Sequence, residues 1–362
     1  MTEATYKLQI RGLRKAYGPV RALGGVDLEM KEGEFVTLLG ASGSGKSTIL
    51  LIIAGLIQPD DGEVWIDGKQ STYMPAHMRD IGVVFQNYAL FPHMSVYENI
   101  AFPLRMRRHS ESRIREEVDR VLATVQLSGL GHRLPSQLSG GQQQRIALAR
   151  CMVYQPPIIL MDEPLGALDK KLRQQLQLEI RQLHQTLGIT VLYVTHDQEE
   201  ALAMSDRICL MNSGGIEQIG TPSELYFQPK TIFAADFLGE SNLLDATLLS
   251  RDNTNADLQA MTGAKIKATL GQEITPGQRV KFLVRPENLR ILGPGEQADN
   301  ELTAKLRDRI LLGQVTKHYA TLLDGSEVSA SQMTRPGQPV LRPGEEVRFG
   351  FDRQGTVCLP LT

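Results

Sequence analysis

The 362-residue sequence is poor in the features that mark extracellular or membrane-spanning chains. It has three cysteines, Cys151, Cys209 and Cys358, scattered without metal-ligand spacing. Such thiols read as small core residues of a protein kept in a reducing compartment. No apolar run approaches the roughly 18 residues needed to span a bilayer. The opening segment, Met1 to Tyr6, lacks the charged-then-apolar pattern of a signal peptide, so none is expected. A membrane role would then run through a partner. The formal net charge is only −2, which gives no general attraction to nucleic acid.

What is present is phosphate-binding chemistry. The length exceeds one typical core, so two domains are expected. The stretch Gly40-Ala41-Ser42-Gly43-Ser44-Gly45-Lys46-Ser47-Thr48 fits the pattern G-x-x-x-x-G-K-[ST]. Glycines let backbone N–H groups turn inward around phosphate oxygens. Lys46 brings a point charge, and the Ser47 hydroxyl is a suitable Mg²⁺ ligand. An apolar run, Phe35 to Leu39, precedes this loop, and a helical segment from Thr48 to Ala54 follows. Strand, glycine-rich turn and helix N-terminus together make an anion site.

Three further apolar runs end in polar residues. Ile81 to Phe85 ends at Gln86, Ile158 to Met161 at Asp162 and Glu163, and Thr190 to Thr195 at His196. Runs apolar on both faces read as buried strands. Open α/β sheets collect their sites beyond the carboxyl ends of the strands. Lys46, Gln86, Asp162, Glu163 and His196 are therefore expected on one rim. Asp162 is a hard oxygen ligand for Mg²⁺. Glu163 is placed to polarise an attacking water. The Gln86 amide can contact both the metal and that water. His196 can donate to a phosphate oxygen as its charge shifts.

A second anion site is written as Leu138-Ser139-Gly140-Gly141-Gln142. Ser139 is a good N-cap for a helix running to about Tyr154, and the glycines expose N–H groups at its positive end. Ile146, Leu148, Ala149, Met152 and Val153 supply its apolar side.

With these elements in this order and spacing, residues 5–240 resemble the ATP-binding subunits of ABC transporters. The P-loop is similar to their Walker A motif, Ile158 to Asp162 to Walker B, Gln86 to the Q-loop and Leu138 to Gln142 to the signature. Leu168-Asp169 resembles the D-loop, with Gly166 where many relatives carry Ser, and His196 resembles the switch histidine. Tyr17 resembles the aromatic that stacks on adenine. The resemblance implies a P-loop α/β cassette with a helical insert at about 88–155. It also implies ATP and Mg²⁺ as ligands. Nucleotide contacts would come from Tyr17, Gly40, Ser42, Gly43, Gly45, Lys46, Ser47 and Thr48. Across a dimer of two copies, Ser139, Gly140, Gly141, Gln142 and Asp169 would complete the site. Mg²⁺ ligands would be Ser47, Gln86 and Asp162, and Glu163, His196 and Gln86 would act in hydrolysis. Transmembrane permease subunits would be the direct partners, and a solute-binding protein an indirect one. The apolar loop Tyr88 to Met94 would receive a helix of the permease. The cassette would sit peripherally on the cytoplasmic face of the inner membrane.

Beyond Leu238-Gly239-Glu240 the period becomes two. Val280, Phe282 and Val284 alternate with other residues, as do Val347, Phe349 and Phe351, and Val357, Leu359 and Leu361. Asp324-Gly325 marks a hairpin turn. An all-β, OB-like barrel is expected over 240–362, after a cassette at 1–239. Residues 241–362 hold 15 Lys/Arg and 14 Asp/Glu, a difference of +1, with sparse aromatics. A nucleic-acid platform is thus not expected; a role in dimerisation or regulation is.

The segment Leu283 to Ile291 resembles the accessory domain of importer ATPases for polyamines, sugars, iron and anions. Similarity through Tyr88 to Glu98 and Pro164 to Asp169 leans towards polyamine importers, with ferric-iron, sugar and aminophosphonate importers as alternatives. Soluble ABC ATPases acting on DNA or ribosomes are more distant. They usually carry long coiled coils or two cassettes, and neither pattern occurs here.

Overall fold

The computed structural model describes residues 6–166, 169–337 and 341–361. They divide into two compact units at Pro222 and Ser223.

The first unit is built on a six-stranded sheet in the order Gly215–Gly220, Arg207–Asn212, Phe35–Gly40, Val191–Thr195, Ile159–Asp162, Gly82–Val84. Neighbours run parallel, except that Gly215–Gly220 is antiparallel to Arg207–Asn212. Successive side chains in a strand point to opposite faces. Val36, Leu38, Leu160, Leu192 and Val194 therefore enter one core. Phe35, Ile159, Met161, Val191 and Tyr193 enter another. Both faces are covered, which is why these strands read as continuous apolar runs.

The first face packs on the helix Lys46–Ala54 and on a four-stranded antiparallel sheet, ordered Val20–Lys31, Tyr6–Tyr17, Asp61–Ile66, Lys69–Gln70. That sheet was not evident in the sequence. Register shifts between Ile10 and Leu13, and between Leu13 and Arg14, break the alternation that would have marked its long strands. The second face packs on the helices Val96–Met106, Glu111–Thr124, Gly140–Met152 and Lys170–Leu187. Ile114, Val118, Val121, Leu122 and Val125 are buried there, as are Leu176 and Ile180. Leu187 is more exposed, because the helix ends at Gly188, whose φ of 60° turns the chain away.

The second unit starts earlier than the expected boundary at residue 239. Two short helices, Pro222–Phe227 and Ile232–Phe237, precede its strands. Ile232 and Ala235 pack on Leu283, Val357 and Leu359. The buried Arg285 fixes this arrangement. Its guanidinium donates to the carbonyl oxygens of Ala235 (2.9 Å), Tyr226 (3.1 Å) and Glu240 (3.2 Å) and to Ser241 Oγ (2.6 Å). It also lies 4.4 Å from the centre of the Tyr226 ring. The change to period two near Leu238 marks where strands begin, not where this packing begins.

Five strands close into a barrel in the order Asn242–Arg251, Asn255–Ala260, Lys265–Leu270, Thr356–Pro360, Arg279–Val284. Closure depends on a parallel pairing of Thr269 with Val357 and Leu270 with Cys358. A second five-stranded sheet, which the sequence reading did not separate, runs Arg290–Ile291, Glu346–Phe351, Asn300–Leu311, Val315–Leu322, Glu327–Met333. The two share one apolar core that includes Phe282, Phe349 and Phe351. Asp324-Gly325 forms the expected turn, closed by Leu322 N–H donating to Ser326 O at 2.8 Å. The alternation expected at Val357, Leu359 and Leu361 is corrected. Val357, Cys358 and Leu359 are all buried and Leu361 is 46% exposed, because the helix Ile232–Phe237 covers the outer side of that strand.

All three cysteines are buried and free. Burial pushes Cys151 up to about 11, and Cys209 and Cys358 up to about 12. These thiols stay protonated and inert near neutral pH.

Candidate nucleotide site

The P-loop leaves the strand Phe35–Gly40 and enters the helix at Lys46. Its glycines are required sterically. A Cβ on Gly45, at φ 103°, would sit 2.6 Å from Ala22 O and 2.7 Å from Leu23 Cδ2. A Cβ on Gly40 would come within 2.4 Å of Met211 O. Gly43 also lies at positive φ, and Ser42 and Gly43 are exposed at the loop crest. Thr48 is half-buried in the first helical turn. The far end of this helix is anchored by the buried Arg79. Its guanidinium donates to Ile52 O at 2.7 Å, Ile53 O at 2.8 Å, Thr72 O at 2.8 Å and Met74 O at 2.8 Å. A cation at the negative end of the helix holds the anion-binding end in place.

Lys46 is only 5% exposed. Its Nζ donates to Gly40 O and Ala41 O, both at 2.8 Å, and to Ser44 Oγ at 3.3 Å. Burial lowers its pKa, and the carboxylates of Glu163 and Asp162 work against that shift. Ser47 Oγ lies 3.5 Å from Asp162 Oδ1. Two hard oxygens thus meet beside the loop. Burial, reinforced by Glu163, raises the Asp162 pKa, while Ser47 and Lys46 oppose the rise. A cation between Ser47 and Asp162 would relieve that penalty, so the donor set fits Mg²⁺.

Glu163 follows directly. Its φ is 44°, a left-handed conformation costing about 1 kcal/mol for a residue with a side chain. Glu163 N–H donating to Val194 O at 3.0 Å and Gly166 N–H donating to Glu163 O at 3.2 Å hold it there. His196 Nδ1 is 3.1 Å from Glu163 Oε1, and His196 is otherwise exposed. The backbone beyond His196 is pinned by Asp197. Asp197 accepts from Glu200 N–H at 3.2 Å and from Arg173 at 2.9 Å. The buried Glu200 accepts from the hydroxyls of Tyr193 and Thr195, both at 2.8 Å.

Gln86 is exposed beyond the strand Gly82–Val84. Its Nε2 lies near the Gly166 backbone, 3.7 Å from where a Cβ would stand. Tyr88 and Ala89 follow at φ 59° and 48°. Arg150, near the end of the signature helix, clamps both: its guanidinium donates to Tyr88 O at 3.0 Å and Ala89 O at 2.7 Å. Tyr154 OH donates to Ile81 O at 2.9 Å and Cys151 Sγ to Val83 O at 3.3 Å. The signature helix is thereby tied to the strand and loop that carry Gln86. The sequence reading missed Arg150. Its signal was a charged residue inside the apolar stretch Ile146 to Val153.

At the other end of that helix, Ser139 and Gln142 form a capping box. Gln142 N–H donates to Ser139 Oγ at 3.3 Å, and Ser139 N–H to Gln142 Oε1 at 3.0 Å. The N–H groups of the first turn, Gly140 and Gly141 among them, have no carbonyl within the helix to bind. Asp169 is itself an N-cap, accepting from Leu172 N–H at 3.0 Å. Leu168 lies outside the described residues. Tyr17 is exposed at the end of the strand Tyr6–Tyr17. Lys46, Ser47, Asp162, Glu163 and His196 thus form one connected set, while Ser139 to Gln142 engage mainly one another.

Comparisons with known proteins show the family of the chain. Residues 23–166 match the family described as ABC transporter, and residues 282–359 match the TOBE domain. A spermidine/putrescine import ATP-binding protein of Rubrobacter xylanophilus is 42% identical, covering 97% of this chain and 93% of that protein. One of the same description from Nitratidesulfovibrio vulgaris is 42% identical over 99% of each chain. Among solved structures, the dimeric bacterial ABC transporter cassette MJ0796 aligns with a TM-score of 0.53 at 37% identity, covering 59% of this chain and 98% of that one.

Proposed function

The chain belongs to the ATP-binding subunits of ABC transporters and supplies the ATP hydrolysis of an importer, and on that premise we propose that the imported solute is a polyamine. The names of relatives alignable over nearly the whole chain support this solute class. The observation that carries the hydrolytic role is the convergence of Lys46, Ser47, Asp162, Glu163 and His196 at the strand ends of one sheet.

In this reading the P-loop N–H groups and Lys46 hold the ATP phosphates, and Tyr17 stacks on the base. Ser47 and Asp162, with Gln86, hold Mg²⁺, which when bound takes up negative charge from the phosphate oxygens. Glu163 accepts a proton from the attacking water. His196 orients Glu163 through their 3.1 Å contact and is placed to donate towards the γ-phosphate. Ser139 to Gln142 and Asp169 complete the site of a second copy, so ATP binds the closed dimer better than the open one. Moving from mostly open to mostly closed takes roughly 5 kcal/mol of differential binding.

No helix among the described residues is long and apolar enough to cross a membrane. In this reading the cassette acts peripherally, on the cytoplasmic face, through a permease fed by a solute-binding protein. The C-terminal unit serves dimerisation or regulation.

ATP turnover of the assembled complex, with permease and solute-binding protein, tests the solute. Putrescine or spermidine is expected to stimulate it; stimulation only by a sugar, ferric iron or an aminophosphonate would remove the polyamine assignment. Arg150 is a positioning residue in the same cycle. Arg150→Met is expected to lower kcat about tenfold, the equivalent of one to two net hydrogen bonds, with KM for ATP unchanged. Arg150→Lys should recover part of the loss. A raised KM instead would assign Arg150 to ATP binding, and a kcat loss matched by a lower Tm and a smaller folded fraction would assign it to general stability.

A further inference from the structure

The second sheet of the C-terminal unit places two basic residues, the buried His318 and the half-buried Arg309, where its pattern calls for apolar ones. In the strand Val315–Leu322 the inward positions are Thr316, His318, Ala320 and Leu322, all buried. The neighbouring strand sends Leu302, Ala304 and Leu306 inward. A register shift between Leu306 and Asp308 then changes the alternation, so Arg309 pairs directly with His318. Directly opposed residues of an antiparallel pair share a face.

Each side chain carries one buried nitrogen without a partner. His318 is 4% exposed, and its Nδ1 is buried without a hydrogen-bond partner. Arg309 Nε is likewise buried and unpartnered. The neighbouring guanidinium and burial, of which burial is the larger effect, hold the His318 pKa below its usual value, so the imidazole is neutral near pH 7. Buried polar groups are normally paired, and an orphaned one costs about 1–3 kcal/mol. Both groups border a cavity of about 330 Å³, whose other walls include Ile291, Leu292, Pro294 and Leu341. That volume is far more than one water needs and lies at the lower end of ligand-site volumes.

We propose that this cavity binds a small organic monoanion, a carboxylate carried on an apolar body. Arg309 would pair with the carboxylate and His318 would donate a second hydrogen bond, while Ile291, Leu292, Pro294 and Leu341 enclose the body. The neighbouring Gln332 amide lies in the same wall. A polycation is repelled by Arg309. A neutral apolar molecule leaves the Arg309 guanidinium without a counter-charge, and an inorganic anion leaves the apolar walls wet. The ligand is therefore chemically opposite to a polyamine, and the site is separate from the transported solute.

Calorimetric titration of the full chain with 2-naphthoate, cyclohexanecarboxylate and the neutral 2-naphthamide tests this. At least one carboxylate should bind saturably, one per chain, and more tightly than the amide. Arg309→Met should weaken it about ten- to a hundredfold, the effect of losing a charge-assisted hydrogen bond, and leave any amide binding unchanged. His318→Phe, which fills space rather than emptying it, should also abolish carboxylate binding, and it supplies the second test should Arg309→Met fail to fold. Basal ATP turnover should stay at the wild-type level in both variants. Equal binding of amide and carboxylate, an undiminished affinity in both variants, or no saturation by either carboxylate would overturn the proposal and leave the cavity to water.

Discussion

Glu163→Gln is expected to bind ATP at least as well as the wild type and to hydrolyse it about 10²–10⁴-fold more slowly, the usual contribution of a general base. The substitution keeps side-chain size, and its backbone at φ 44° is held by hydrogen bonds that do not involve the carboxylate. What it removes is the proton acceptor and one negative charge beside Asp162. The Glu163 carboxylate adds to the effect of burial in raising the Asp162 pKa. Its loss should move Asp162 towards ordinary carboxylate behaviour. ATP would persist, and closed dimers should accumulate. Phosphate release and sedimentation in Mg-ATP measure the two effects together. Wild-type turnover would remove Glu163 from the mechanism.

Ser139→Arg should have the opposite signature. Ser139 is exposed, so the longer side chain does not enter a core. Loss of the capping box costs about 1 kcal/mol of local stability. The larger effect is functional. An arginine over the first turn blocks the N–H groups of Gly140 and Gly141 from a partner's phosphate. Each monomer should bind ATP normally, while ATP-dependent dimerisation is lost and kcat falls at least about a hundredfold, as when donors to a transition-state anion are removed. Ser139→Ala removes the cap without adding bulk and separates the two causes: it should still dimerise. In the double variant, Ser139→Arg should prevent the dimer that Glu163→Gln accumulates. Unchanged sedimentation of Ser139→Arg with ATP would defeat the two-chain site.

The chemistry was legible in the sequence because phosphate sites are made by local backbone. Gly40 to Ser47 dictates its own turn, and the strand-terminal positions of Asp162, Glu163 and His196 follow from apolar runs that need burial on both faces. Ser139 and Gln142 likewise write their own cap three residues apart. Contacts distant in sequence were not legible. The 3.1 Å approach of His196 to Glu163 depends on neighbouring strands in one sheet. Arg79 binding the end of the P-loop helix, and Arg150 binding two left-handed residues near Gln86, join segments with no shared local pattern.

The C-terminal half divides the same way. Period two announced strands, and Asp324-Gly325 announced a turn, because side-chain alternation and left-handed glycine are properties of a few residues. Which strands pair is decided only when the chain closes. The parallel pairing of Thr269 with Val357 seals the barrel, and the shift after Leu306 brings Arg309 opposite His318. The sequence alone determined the family, the ATP-binding role and the order of an α/β cassette before a strand-rich region, each carried by short-range geometry. The tertiary structure alone decided the domain boundary at Pro222, the second sheet and the orphaned basic pair, because those depend on long-range pairing and burial that no local window contains.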